Sequence, residues 1–446
     1  MVGPRQHASP KISPNPATLA EAAWGNGCAM TRNIVICCDG TGNEIGENIS
    51  NVLKLYRCLR KTPKTEPHQL VFYDPGVGTL ARPNPWLKLR QDFVMVLGLA
   101  TGYGLDDNVI AAYEFLVDNY EDGDQIYLFG FSRGAYTVRV LAGLIHKIGL
   151  VSPQQKNLAG SGLTSYKQLS EGDRKAQGVP PSAEPGDDDE GPQPLNSDDR
   201  AAQFARIVSS RWPTIRFVGV WDTVASVIVP RPDRLYWPSL EELAFTLDNP
   251  SVKTFRQAIA IDERRCMFRL KKWLEPQTFM HNRFNQAGAE PQDCRQVWFA
   301  GVHADIGGGY PERQSALSKY PLLWMIEQAM ACGLAFNPQS IRQLAFGVQR
   351  RGSPFSYVAP DVTGELHDSM TAAWRLLEYF PKSDKYKEWP QRPSHLGFYI
   401  PDAEPRFIPD GAFVHESAVK RRDTVAGYEP INWPSSFETV PMPEEP

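Results

Sequence analysis

A chain of 446 residues, 42% hydrophobic and 11% aromatic, can build a sizeable core, as one large α/β domain with insertions or as two or three smaller domains. A formal net charge of −4 argues against a dedicated nucleic-acid binder, so no nucleic-acid partner is expected. The seven cysteines are odd in number and lack C-x-x-C spacing, which supports neither a zinc site nor a disulfide framework, and no apolar run is long enough to span a bilayer.

Residues 1–29 are rich in Pro, Ala, Ser and Gly and lack the apolar stretch of a signal peptide, so they read as a disordered leader. Met30 stands directly before the first strand and is a second candidate start of translation. Ile34–Cys38 has the continuous apolar character of a buried parallel strand, Asp39–Asn48 is a Gly-rich loop, and Asn51–Leu59 has helical spacing. A Gly-rich turn between strand and helix aims backbone N–H groups at an anion. Cys37-Cys38-Asp39-Gly40-Thr41 also approaches the D-x-D-G-T signature of haloacid dehalogenase-type phosphatases. Cys37 stands where that chemistry needs its nucleophilic Asp, so the phosphatase reading is unsupported. Leu70–Asp74 is another short strand, and Phe93–Leu99 is an apolar patch that suits either the core or an acyl pocket. Within Gly102–Tyr120, one helical face carries Val109, Ala112, Tyr113, Leu116 and Val117.

The next stretch holds the strongest chemical signal. Ile126–Phe129 is a buried-type strand, and Leu141, Leu144, Ile145 and Ile148 form one helical face that ends at a C-capping Gly149. Between them lies Gly130-Phe131-Ser132-Arg133-Gly134, a G-x-S-x-G in the strand–turn–helix context of a nucleophile elbow. Ser132 is therefore the candidate nucleophile. The Arg133 N–H and one from Gly40 or Thr41 are the candidate oxyanion-hole donors. The Arg133 guanidinium suits either a lipid phosphate or a carboxylate of the fold.

From about 154 to 205 the chain is poor in large apolar residues, and it includes the acidic run Asp187-Asp188-Asp189-Glu190. This composition predicts a disordered insertion, its carboxylates solvated rather than metal-binding. Ile215–Val220 is a buried-type strand that runs into Asp222, where a strand-end carboxylate suits an α/β active site. Phe255–Lys272 mixes helical periodicity with charge, and Asp262, Glu263, Arg264 and Arg265 read as a rim ion-pair cluster. Val297–Ala300 is a strand leading into Gly301–Tyr310, which places His303 just past a strand in a loop held open by Gly307, Gly308 and Gly309. The chain order Ser132, Asp222, His303 is that of an α/β-hydrolase triad. His367 and His415 are the competing histidines, and Asp305 is the carboxylate most easily confused with the triad acid. Leu322–Met330 and Ala372–Phe380 have helical character, and residues 436–446 read as a tail.

Four motifs in this order, Ile34–Asn43, Gly130–Ile145, Phe217–Val224 and Val297–Tyr310, resemble the catalytic domain of type VI secretion phospholipase effectors. The resemblance covers roughly residues 31–430 outside the acidic insertion. It implies an α/β-hydrolase-like three-layer sandwich with a mostly parallel sheet, filling residues 30–435 as one domain. It also implies a serine esterase acting on phospholipid acyl esters through Ser132, Asp222 and His303, with no metal or organic cofactor. The expected partners are a lipid or ester substrate, a peripheral membrane contact, and an immunity or secretion partner. The expected setting is cytoplasmic, or export by a signal-peptide-independent secretion system. A small-ester carboxylesterase and a non-catalytic scaffold that retains the fold are the alternatives.

Overall fold

The computed structural model describes residues 31–40, 48–76, 104–167 and 203–443, apart from 209, 225–227, 232–236, 241–242, 244, 286, 385–386 and 390. The leader, Thr41, the Phe93–Leu99 patch and the acidic run lie outside the described residues.

Eight strands form one sheet: β1 (Asn33–Cys38), β2 (Gln69–Asp74), β3 (Gln125–Phe131), β4 (Ile215–Trp221), β5 (Val252–Ala260), β6 (Asp293–Phe299), β7 (Ala412–His415) and β8 (Phe437–Val440). Their order across the sheet is β8-β7-β6-β5-β4-β3-β1-β2. Every neighbouring pair within it is parallel. Parallel strands need both faces covered, and side chains alternate between them. In β1, Ile34, Ile36 and Cys38 enter one core, which is closed by α2 (Leu105–Asn119), α3 (Arg133–Ile148) and α4 (Ala159–Lys167). Val35 and Cys37 enter the other, which is closed by α1 (Asn51–Cys58), α6 (Lys319–Ala331) and α7 (Pro338–Leu344). The result is a three-layer α/β sandwich.

The strand order reverses at β1, whose neighbours are β2 and β3. Crevices at such switch points, beyond the carboxyl ends of the strands, are where open α/β sheets bind ligands. The loop after β1 and the turn after β3 both open there.

Three stretches depart from the sequence reading. Val252–Ala260, within and before the segment of helical periodicity, is a central strand. Its polar residues conceal it: Gln257 accepts from Arg139 at 2.8 Å, and Arg256 pairs with Asp293 at 2.8 Å. Part of the expected insertion is ordered, because Ala159, Leu163 and Tyr166 of α4 are buried against α2 and α3. Phe437–Val440, expected in a tail, pairs with β7 and closes the sheet edge. Four residues are too few to announce a strand by periodicity.

Candidate active site

The site starts from the elbow. Gly130 ends the β3–α3 approach so tightly that a Cβ there would lie 2.4 Å from the Gly134 carbonyl oxygen. A Cβ on Gly134 would lie 2.2 Å from the carbonyl oxygen of Cys38 at the end of β1. Gly130 thus lets the elbow close on itself and Gly134 lets it press against the end of β1, and a side chain at either position would break the corresponding contact. Ser132 sits between them at φ 56° and ψ −120°, a conformation that costs a non-glycine residue about 1–3 kcal/mol. Its N–H donates to the Trp221 carbonyl at 3.1 Å, which binds the elbow to the end of β4.

One residue beyond Trp221, Asp222 also has a positive φ, 39°, and is fully buried. His303 begins a short helix, α5 (His303–Gly307), just past β6. A five-residue helix carries no readable periodicity, so the sequence suggested only an open loop. The structure brings the three residues into one hydrogen-bonded line. His303 Nε2 lies 2.8 Å from Ser132 Oγ, and His303 Nδ1 lies 2.5 Å from Asp222 Oδ2. The ring packs between Phe131, at 4.7 Å between centroids, and the edge of Phe268, at 4.9 Å.

Burial acts on both ionisable partners, with opposite outcomes. It lowers the pKa of the His303 imidazole, and Asp222 offsets this only in part. Burial alone would raise the pKa of the Asp222 carboxyl. The guanidinium of Arg406 and the His303 ring outweigh it and hold the carboxylate well below its usual range. Both shifts favour a neutral imidazole backed by an ionised acid.

The oxyanion-side residues are less uniform. Arg133 is the first residue of α3, so its N–H lies at the positive end of the helix dipole. The Arg133 side chain is buried, and burial lowers its guanidinium pKa to about 10. Gly40 donates its N–H to Asp39 Oδ1 at 2.7 Å. Asp39 Oδ2 accepts from Tyr73 Oη at 2.9 Å and also from Ser50 Oγ, so this carboxylate anchors the described end of the β1 loop.

Two contributors to the site were missed by the sequence reading. Glu263, read as a rim charge, is 1% exposed; it pairs with Arg265 at 2.8 Å and accepts the His303 backbone N–H at 3.2 Å. Arg406 reaches Asp222 from a proline-flanked segment nearly two hundred residues downstream, where no local pattern marks it. The competing histidines lie elsewhere. His367 Nδ1 pairs with Asp305 Oδ1 at 2.6 Å, and His415 stacks on Phe299 with its Nδ1 2.8 Å from Ser417 Oγ.

Residues 32–328 match the family described as T6SS, phospholipase effector Tle1-like, catalytic domain. The chain belongs to this family. Membership in a phospholipase catalytic-domain family supports a lipase- or esterase-like function. An uncharacterized protein of Saccharomyces cerevisiae is 30% identical over 246 residues, which are 53% of this chain and 32% of the yeast protein. An uncharacterized Pseudomonas aeruginosa protein of known structure is 17% identical over 73% of this chain and 48% of its own, with a TM-score of 0.36. A Tle1 effector, solved bound to the VgrG spike of a type 6 secretion system, is 19% identical over 65% of this chain and 53% of its own, with a TM-score of 0.33. The chain thus spans about a third of the yeast protein and about half of each solved chain. Among the described residues, no helix is long and apolar enough to cross a membrane.

Proposed function

We propose that this chain is a serine hydrolase that cleaves carboxylic esters, phospholipid acyl esters foremost, through Ser132, His303 and Asp222. The observation that carries the reading is the continuous line from Ser132 Oγ through both nitrogens of His303 to Asp222, with the serine on a strained elbow.

In this mechanism His303 Nε2 takes the Ser132 proton as Oγ attacks the ester carbonyl, and Asp222 stabilises the imidazolium that forms. The tetrahedral oxyanion meets the Arg133 N–H and one from the β1 loop. Gly40 and Thr41 are the candidates for this second donor, and the Gly40 N–H is given to Asp39 Oδ1. Loss of one such donor costs about 3 kcal/mol of transition-state stabilisation. His303 returns its proton to the leaving alkoxide, which leaves an acyl-enzyme on Ser132. Water, deprotonated by the same imidazole, then releases the acid and restores the serine. Asp222 stays ionised throughout.

Family membership extends the proposal to a membrane lipid as substrate and to export through a type VI secretion system, with a secretion or immunity partner. Residues 33–440 are read as one catalytic domain, because β8 completes the same sheet that β1 begins.

A serine-directed fluorophosphonate probe tests the core of this reading. Labelling of the wild type at Ser132, and its loss in a folded Ser132→Ala variant, is the expected result. A folded wild-type protein that stays unlabelled points to a scaffold instead. Turnover of p-nitrophenyl esters without hydrolysis of phospholipid vesicles would narrow the function to a small-ester carboxylesterase.

A further inference from the structure

A triad carboxylate usually has one task, to orient and stabilise the histidine. Here Asp222 also carries a buried cation. Oδ1 accepts from the Ala260 N–H at 3.0 Å and from Arg406 Nη1 at 2.5 Å; Oδ2 accepts from Arg406 Nη2 at 3.0 Å and shares the His303 contact at 2.5 Å. Arg406 is 4% exposed. Its Nη2 also donates to the Phe268 carbonyl at 2.7 Å. Asn432 Nδ2 pins its backbone, donating to the Arg406 and Ile261 carbonyls at 3.0 and 2.9 Å. Arg406 and Asn432 themselves come from chain beyond residue 328, where the family match ends.

We propose that Arg406 is a positioning residue for the acyl-transfer reaction: its fork across both Asp222 oxygens fixes the carboxylate toward His303 and offsets the negative charge that the imidazolium meets. The proposal rests on the triad reading above. A planar guanidinium matches a carboxylate bidentately and so sets its plane as well as its charge. Without the cation, a fully buried Asp222 would be pushed toward protonation, and a protonated acid holds the wrong imidazole tautomer. The other charged groups facing the ring are Glu263, at its backbone N–H, and Arg265. Those two pair with each other at 2.8 Å and act on the ring in opposite directions. Arg406 then acts on the ring through Asp222, whose two oxygens it holds.

The test compares wild type, Arg406→Gln and Arg406→Lys in kcat/KM against pH for a p-nitrophenyl ester, with each rate divided by the sites titrated with a fluorophosphonate. Arg406→Gln is expected to lose about 10²-fold per titrated site, as a misplaced catalytic group does. Its acid limb should also move to higher pH, because the Asp222–His303 pair, no longer facing a cation, binds its proton more readily. Arg406→Lys should keep the limb near that of wild type while losing rate, since an ammonium supplies the charge without the fork. If Arg406→Gln does not fold, Arg406→Lys decides alone, and full wild-type rate in it overturns the proposal. A purely structural role would lower the melting temperature and the titratable fraction while leaving both the rate per site and the acid limb unchanged; that result also overturns it. Wild-type protein that is not labelled at Ser132 would instead sink the triad reading, and this inference would fall with it.

Discussion

Two histidine–carboxylate pairs flank one turn of this protein, and they differ in everything except their separation. His303 and Asp222 lie 2.5 Å apart, and His367 and Asp305 lie 2.6 Å apart, with Asp305 only two residues from His303. The far nitrogen of His303 meets Ser132 Oγ, and its ring is buried between two phenylalanines. His367 stacks flat on Tyr310 at 3.6 Å, and its Nε2 has no hydrogen-bond partner among the described residues. Burial lowers the pKa of His303, whereas at His367 the Asp305 carboxylate overcomes burial and raises it. An imidazole–carboxylate distance therefore does not by itself distinguish the two pairs; the contact of the other ring nitrogen does. The second pair works as a brace. Asp305 Oδ2 accepts the Val302 N–H at 3.0 Å, which closes the turn that carries His303. Gly301, at φ 127°, leaves just enough room for it, since a Cβ there would lie 2.4 Å from that of Asp305.

The comparison breaks most directly on the histidines themselves. His303→Ala should abolish the acylation burst of a chromogenic ester, with kcat falling by about 10⁶-fold, as removal of a triad base does elsewhere. His367→Ala should retain the burst and lose less than about tenfold in kcat, because a brace acts only through loop order. A burst that survives in His303→Ala and vanishes in His367→Ala would reverse the two roles. A smaller but still large effect separates the acids. Asp222→Asn should cost about 10⁴-fold in kcat by stabilising the wrong imidazole tautomer. Asp305→Asn should keep most of its turnover and show its defect as a lower melting temperature.

What could be read from sequence follows the same divide between local and assembled features. The elbow was legible because strand, glycines, serine and helix are contiguous, and Gly130 and Gly134 are required by contacts within a few residues or with the neighbouring strand. Asp222 and His303 were legible as strand-end residues in the right order. Arg406 was not, since its partner lies nearly two hundred residues away and its own segment lies between Pro405 and Pro409. β5 was hidden for a related reason: Arg256 and Gln257 look like solvent residues until Asp293 and Arg139 arrive from other elements to satisfy them. Glu263 was read in an ion-pair cluster with Arg265, and that pair forms, but nothing local says that it is buried beneath the His303 N–H. Buried polar groups are specified by tertiary partners, and a single sequence does not display those.

The smallest expected effect is also the one that sets the two pairs on opposite sides of a pH scale. His367 has a folded pKa above the ordinary value of 6.5, so the folded state binds its proton more tightly than the unfolded chain. The stabilisation it contributes is fully present below about pH 6.5 and is lost as pH rises through the raised folded value. His303 has the reverse shift, so its contribution is whole above about pH 6.5 and erodes as pH falls toward the lowered folded value. His415, whose burial lowers its pKa to about 3, erodes in the same direction and forms a background common to every variant. Melting temperatures of wild type and His367→Gln, taken from pH 5.5 to 9, isolate the first term. The wild-type advantage should be largest at the acid end and shrink steadily toward the alkaline end. In His303→Gln the difference from wild type should grow more favourable to the variant as pH falls, because the glutamine removes a ring that resists protonation. If His367→Gln instead tracked wild type at a constant offset, the ion pair with Asp305 would not titrate with folding, and the brace would be a matter of ring stacking on Tyr310 alone.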